Sequence, residues 1–144
     1  MRLVIIVLSF FYSSTLALAE TSSVNTTPTK KLLIELNSQK QVGTSCQVSF
    51  LMKNDLGQEI KQFTFEIVIF DENQQVVKLL VLNSGELIKG KTRVKRYGLK
   101  NVNCEKVSRY LVNDIKQCDA KGFTPKLCLQ SLELTNKTTA KFGS

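Results

Sequence analysis

The residues predict an all-β fold, two antiparallel sheets packed face to face, on three observations. Gln62–Phe70 (QFTFEIVIF) sets Phe63, Phe65, Ile67 and Ile69 at alternate positions, which puts four large apolar groups on one face of a strand. Further short runs with strand character recur along the chain, separated by turn residues. No stretch sustains the helical period of an amphipathic bundle helix.

The elements follow in order. Leu32–Leu36 is a strand with Leu32, Ile34 and Leu36 on one face. In Cys46–Lys53, Cys46, Val48, Phe50 and Met52 share a face opposite Gln47, Ser49 and Lys53. Asn54-Asp55-Leu56-Gly57 turns the chain into Gln62–Phe70, the strand around which the rest is organised. Each Phe or Ile buried there contributes roughly 1.5–3 kcal/mol. Asp71–Gln75 breaks the alternation, and Val76–Leu82 returns at hairpin distance. Asn83-Ser84-Gly85 ends that strand, and Leu87–Lys91 is a polar connection with a glycine turn. Thr92–Leu99, Val107–Val112 and Leu127–Leu134 complete the set, the last only half regular in its alternation. Asn113-Asp114 either turns the chain or begins a short helix before Cys118. The count predicts an immunoglobulin-like antiparallel β-sandwich of about seven strands with two disulfides. It occupies 32–135, preceded by a leader over 20–31 and followed by a flexible tail over 136–144.

Met1–Ala19 reads as a Sec-type signal peptide. Arg2 is the basic start, Leu3–Phe11 the apolar core, and Ala17-Leu18-Ala19 the small residues before cleavage at Glu20. The competing reading is an uncleaved anchor, but the apolar run breaks at Tyr12-Ser13-Ser14-Thr15, short of the ~20 residues a span needs. No later segment is apolar enough to span, so a periplasmic or secreted destination is expected. Asn25-Thr26-Thr27 and Asn136-Lys137-Thr138 match the glycosylation pattern, read as chance in a bacterial protein.

The chain has 144 residues, four cysteines, no histidine and a net charge of +8. That length is enough for one core, burying about two-thirds of the unfolded surface. Without histidine, Ser-His-Asp and Cys-His catalysis, His-ligated zinc and the HExxH pattern are excluded. Carboxylates are then the common acid–base candidates. Asp71 and Glu72 fall in a hairpin turn, and Asp114 and Asp119 near cysteines. No pair flanking a cleft is legible, so no catalytic residue, no metal and no cofactor is expected.

Four cysteines in a small exported chain imply two disulfides. Three pairings are possible. Cys118–Cys128 is favoured for its short intervening segment with Gly122 and Pro125, leaving Cys46–Cys104. The spacings are not CxxC, which argues against a redox site or a zinc knuckle.

Lys89, Lys91, Arg93 and Lys95 occupy alternate positions, with Arg96 and Lys100 nearby. If the strand reaches back to Lys89, all four project from one face and form a binding stripe for an anionic partner: lipid phosphates, an acidic polymer or an acidic protein. The competing reading is a solvated face, or an edge strand guarded by lysine. Nucleic acid is not expected, since Tyr97 alone could stack.

One resemblance rests on a run of motifs: CQVSFLMKN, FEIVIFDENQQVVKLLVL, GELIKGKTRVKRYGL and C-x-x-V-x-R-Y-L-V-N-D-I-x-x-C, between about Leu32 and Leu134. In these the chain resembles small exported proteins of alphaproteobacteria, labelled uncharacterised or as Tat-pathway-signal proteins. The strongest carriers are Phe70-Asp71, Gly90-Lys91, Cys104, Asn113-Asp114, Cys118 and Cys128. The twin arginine of that label is absent here. The resemblance implies export and assigns no activity. The sequence thus points to a non-enzymatic exported protein of the bacterial envelope that binds another protein or an anionic component. Two alternatives accompany it: a secreted effector of a host-associated bacterium that binds or inhibits a host protein, and a carboxylate-based envelope hydrolase.

Overall fold

The computed structural model describes residues 31–144. The expected signal peptide, with its expected cleavage after Ala19, and the expected leader up to residue 30 lie outside the described residues.

Eight strands and one short helix follow in the order β1 (Leu32–Val42), β2 (Ser45–Asn54), β3 (Ile60–Asp71), β4 (Val76–Leu87), β5 (Thr92–Lys100), β6 (Val107–Cys118), α1 (Pro125–Gln130), β7 (Leu132–Asn136) and β8 (Lys141–Gly143). They form two four-stranded sheets, ordered β5-β2-β1-β7 and β4-β3-β6-β8. The first, second and fifth strands share one sheet, opposite the third, fourth and sixth. This is the crossing pattern of an immunoglobulin-like sandwich. The all-β sandwich expected from the alternation is therefore borne out, with one strand more than the seven counted.

The core lies where the alternation put it. Phe63, Phe65, Ile67 and Ile69 of β3 are fully buried. So are Leu32, Ile34 and Leu36 of β1, and Cys46, Val48, Phe50 and Met52 of β2. Phe50 and Phe65 meet edge to face across the two sheets, centroids 5.6 Å apart and planes at 88°. Both favoured disulfides are present. Cys46–Cys104 ties β2 to the 3-10 turn Cys104–Lys106 that leads into β6, and Cys118–Cys128 ties the end of β6 to α1.

Five expectations need correction. Leu127–Leu134 is not one strand: Thr124 caps a helix by accepting from the Leu127 N–H, Pro125 occupies its first turn, and only from Leu132 does the chain extend. Residues after Thr135 are not a tail outside the fold, because β8 pairs with β6, Ala140 is buried and Phe142 packs on the core. Asn113-Asp114 neither turns nor starts a helix; β6 passes through them with a register shift opposite Glu66. Asn83–Gly85 does not end β4, which bends there and continues to Leu87. The sheets are also not wholly antiparallel, since β7 joins β1 and β8 joins β6 in parallel.

Candidate functional site

The basic segment sits on an edge. β5 is the outer strand of its sheet and pairs only with β2. Lys95 lies opposite Phe50 and Arg93 opposite Met52, so both share the core-facing side with Tyr97 and Leu99. At the open edge their charged heads reach water while their stems line the seam between the sheets. Thr92, Val94, Arg96, Gly98 and Lys100 alternate onto the outer side.

Lys89 and Lys91 do not extend this line. The strand starts at Thr92, and Gly90 adopts a left-handed φ of 71° that turns the chain just before it. The expected four-residue stripe is therefore a two-residue strand segment, Arg93 and Lys95, with Lys89 and Lys91 on the adjoining turn.

Asn54 holds that turn in place. Its carbonyl accepts from the Gly90 N–H at 2.7 Å, and its own N–H reaches the Lys91 carbonyl at 3.4 Å. Its buried side chain donates to the Gln58 and Leu87 carbonyls, both at 2.8 Å, and accepts from the Leu56 N–H at 3.1 Å. Asn54→Ala strands the buried Leu87 carbonyl and Leu56 N–H and frees the part-buried Gln58 carbonyl, and is expected to cost about 2 kcal/mol, at the ~1–3 kcal/mol scale of an unsatisfied buried group. Urea unfolding measures the loss, and amide exchange at Gly90 should quicken with it.

Electrostatically the segment is one-signed. Residues 89–100 contain Lys89, Lys91, Arg93, Lys95, Arg96 and Lys100 and no carboxylate. The ion pairs among the described residues use Lys31, Lys53 and Lys116, none of these six. Polar bonds stitch β5 to the β4 edge. The Arg93 guanidinium donates to the Glu86 carbonyl, Tyr97 Oη donates to the Asn83 carbonyl at 3.1 Å, and Lys78 Nζ donates to the Lys100 carbonyl at 2.6 Å. Burial raises the Tyr97 pKa, against the lowering effect of its Ser84 bond and the Arg93 charge. A pocket of about 380 Å³ lined by Glu86, Ile88, Lys91, Thr92 and Arg93 opens at this edge.

The four carboxylates named from the sequence do not gather at one site. Asp71 folds into its own hairpin, accepting from the Asn73 and Gln75 N–H groups at 2.9 Å each, and Glu72 is exposed beside it. Asp114 pairs with Lys116 at 3.0 Å on β6. Asp119 lines a separate open groove with Glu59, Lys61, Lys89 and Lys121. No group of three or more His, Cys, Asp or Glu able to hold a metal occurs among the described residues.

One surface went unnoticed in the sequence. Val76, Val77, Leu79 and Val81 of β4 are about half exposed or more. The signal was the run Val76–Leu82, apolar at every position but Lys78, which does not alternate as a strand with one wet face should.

No protein-family model matches the chain, and no curated protein matches it. Among solved structures, the chain is similar in fold to IrmA from Escherichia coli, at a TM-score of 0.57 and 10% identity over 76% of this chain and 94% of that one. At that identity the likeness concerns the fold. The two disulfides mark an oxidising, exported environment. Among the described residues no helix is long and apolar enough to cross a membrane.

Proposed function

We propose that the chain is a non-enzymatic binding protein of the bacterial envelope, periplasmic or secreted, that engages an anionic partner through β5 and the turn before it. The carrying observation is the six-cation segment 89–100, free of carboxylates and of ion pairs to other described residues. Cations left unpaired along an edge concentrate positive potential and steer acidic partners. Asn54 fixes Lys89 and Lys91 beside the strand, so the charges are held on ordered backbone. The disulfides and the signal-peptide reading support export.

The test is the triple variant Lys91→Glu, Arg93→Glu, Lys95→Glu, assayed by co-sedimentation with anionic phospholipid vesicles and by cross-linking to envelope proteins. Binding should fall at least about tenfold at low salt, and wild-type binding should weaken as salt rises. The melting temperature should fall by only a few degrees, because among the described residues the one side-chain bond lost is that from Arg93 to the Glu86 carbonyl. Unchanged binding in the variant would sink the assignment.

A further inference from the structure

A second surface, independent of the basic edge, lies on the outer face of the β4-β3-β6-β8 sheet. Pairing fixes its rows. Phe70 lies between Val76 and Arg109, Val68 between Leu79 and Leu111, and Glu66 between Val81 and Asp114. These are the alternates of the buried Phe65, Ile67 and Ile69, so they lie toward the outer face, where Val68 and Glu66 on the central strand are only 7% and 8% exposed. Val76, Leu79 and Val81 are 60%, 52% and 54% exposed. No described element covers them.

Charge is segregated along this face. At one end the Arg109 guanidinium stands 5.6 Å from the Phe70 ring centroid, and Lys141 of β8 lies opposite Arg109. Asp71, next in the chain to Phe70, has its carboxylate turned into its hairpin. At the other end Glu66 and Asp114 share one cation, Lys116, at 3.2 and 3.0 Å. Asn113 Nδ2 donates to Glu66 Oε1 at 2.5 Å, and the pair remains net negative. The apolar row Leu79–Val68–Leu111 separates the basic end from the acidic one.

We infer that a second copy of this chain docks on this face, sheet against sheet, about a two-fold axis running along the Leu79–Val68–Leu111 row. That operation lays each strand over its own counterpart, reversed. Leu79 meets its equivalent, Val76 meets Val81, Phe70 meets Glu66, and Arg109, with Lys141 beside it, meets Asp114, at both ends at once. Self-complementarity of one patch under a two-fold is what an isologous dimer requires, and aligned sheet packing within about 30° permits the match. Pairing through the β4 edge fits less well, because the Asn83 and Glu86 carbonyls already accept from Tyr97 and Arg93.

Sedimentation equilibrium of the full exported chain, disulfides formed, tests this over a micromolar range. A dimer is expected. Leu79→Arg, with Val81→Lys as a second variant, should raise the dissociation constant at least ~10-fold without lowering the melting temperature. Arg109→Glu alone and Asp114→Arg alone should each weaken association, and the two together should restore it. A monomer at every concentration overturns the inference. So does a dimer indifferent to both apolar variants, or a charge-swapped pair no tighter than either single variant.

Discussion

Replacing Cys46 and Cys104 together by alanine should cost about 4 kcal/mol of stability, read as a lowered urea midpoint. The bond closes a sequence separation of 58 residues, and chain entropy scales with the logarithm of that length. The 10-residue loop of Cys118–Cys128 is worth about 3 kcal/mol on the same scale, so the first pair should cost more. Position agrees with length. Cys46 is fully buried in one sheet, while Cys104 opens the turn that leads into the other. The Cys104 N–H is held by Gln41 Oε1 at 2.8 Å, and the buried Tyr110 hydroxyl touches Cys46 Sγ at 3.5 Å and donates to Gln39 Oε1 at 3.1 Å. The bond therefore clamps the β1–β2 hairpin to the start of β6. Domains hold only about 5–15 kcal/mol in all, so losing it removes roughly a quarter or more of a typical margin. A loss under about 1 kcal/mol would show that the unlinked chain stays compact there and would refute the entropic account.

The parts of this fold that could be read in advance are those decided by nearest neighbours in the chain. In β3 Phe63, Phe65, Ile67 and Ile69 fall at alternate positions, and all four are in the core. The disulfide pairing followed from short separation and turn residues. β5 was harder, because both of its faces carry cations. Tyr97 and Leu99 share parity with Arg93 and Lys95, and that parity, not the charge, decides which side meets the core. The helix at Pro125 carried a local signal, Thr124 as cap and Pro125 behind it, but Leu127, Leu129, Leu132 and Leu134 outweighed it by suggesting one continuous strand. Nothing local could place β8. Its three residues are held by pairing to β6 and by Phe142 reaching the core, both contacts between distant parts of the chain. The outer apolar face was visible as a run without alternation, but its charge segregation exists only once β3, β4 and β6 are aligned.

Phe50→Ala is the second large effect, at about 3–5 kcal/mol for an aromatic truncated in a packed core. Phe50 is fully buried on β2, yet its neighbours come from three other strands. Its ring centroid lies 5.6 Å from Phe65 of β3, 6.1 Å from Tyr97 of β5 and 5.7 Å from Phe142 of β8. Truncation opens a cavity between the sheets and removes the contact of two edge strands at once. Loss should therefore exceed that of Leu82→Ala, which packs near one edge of the core. It should also be unevenly distributed. Amides of β8, held by only three paired residues, should exchange faster well before those of β3. Phe50→Leu keeps most of the volume and should recover the larger part of the stability. Equal costs for the alanine and leucine variants would mean that edge-to-face ring geometry, rather than filled space, carries this contact. Protection in β8 unchanged by Phe50→Ala would mean that the last strand is fastened by β6 alone.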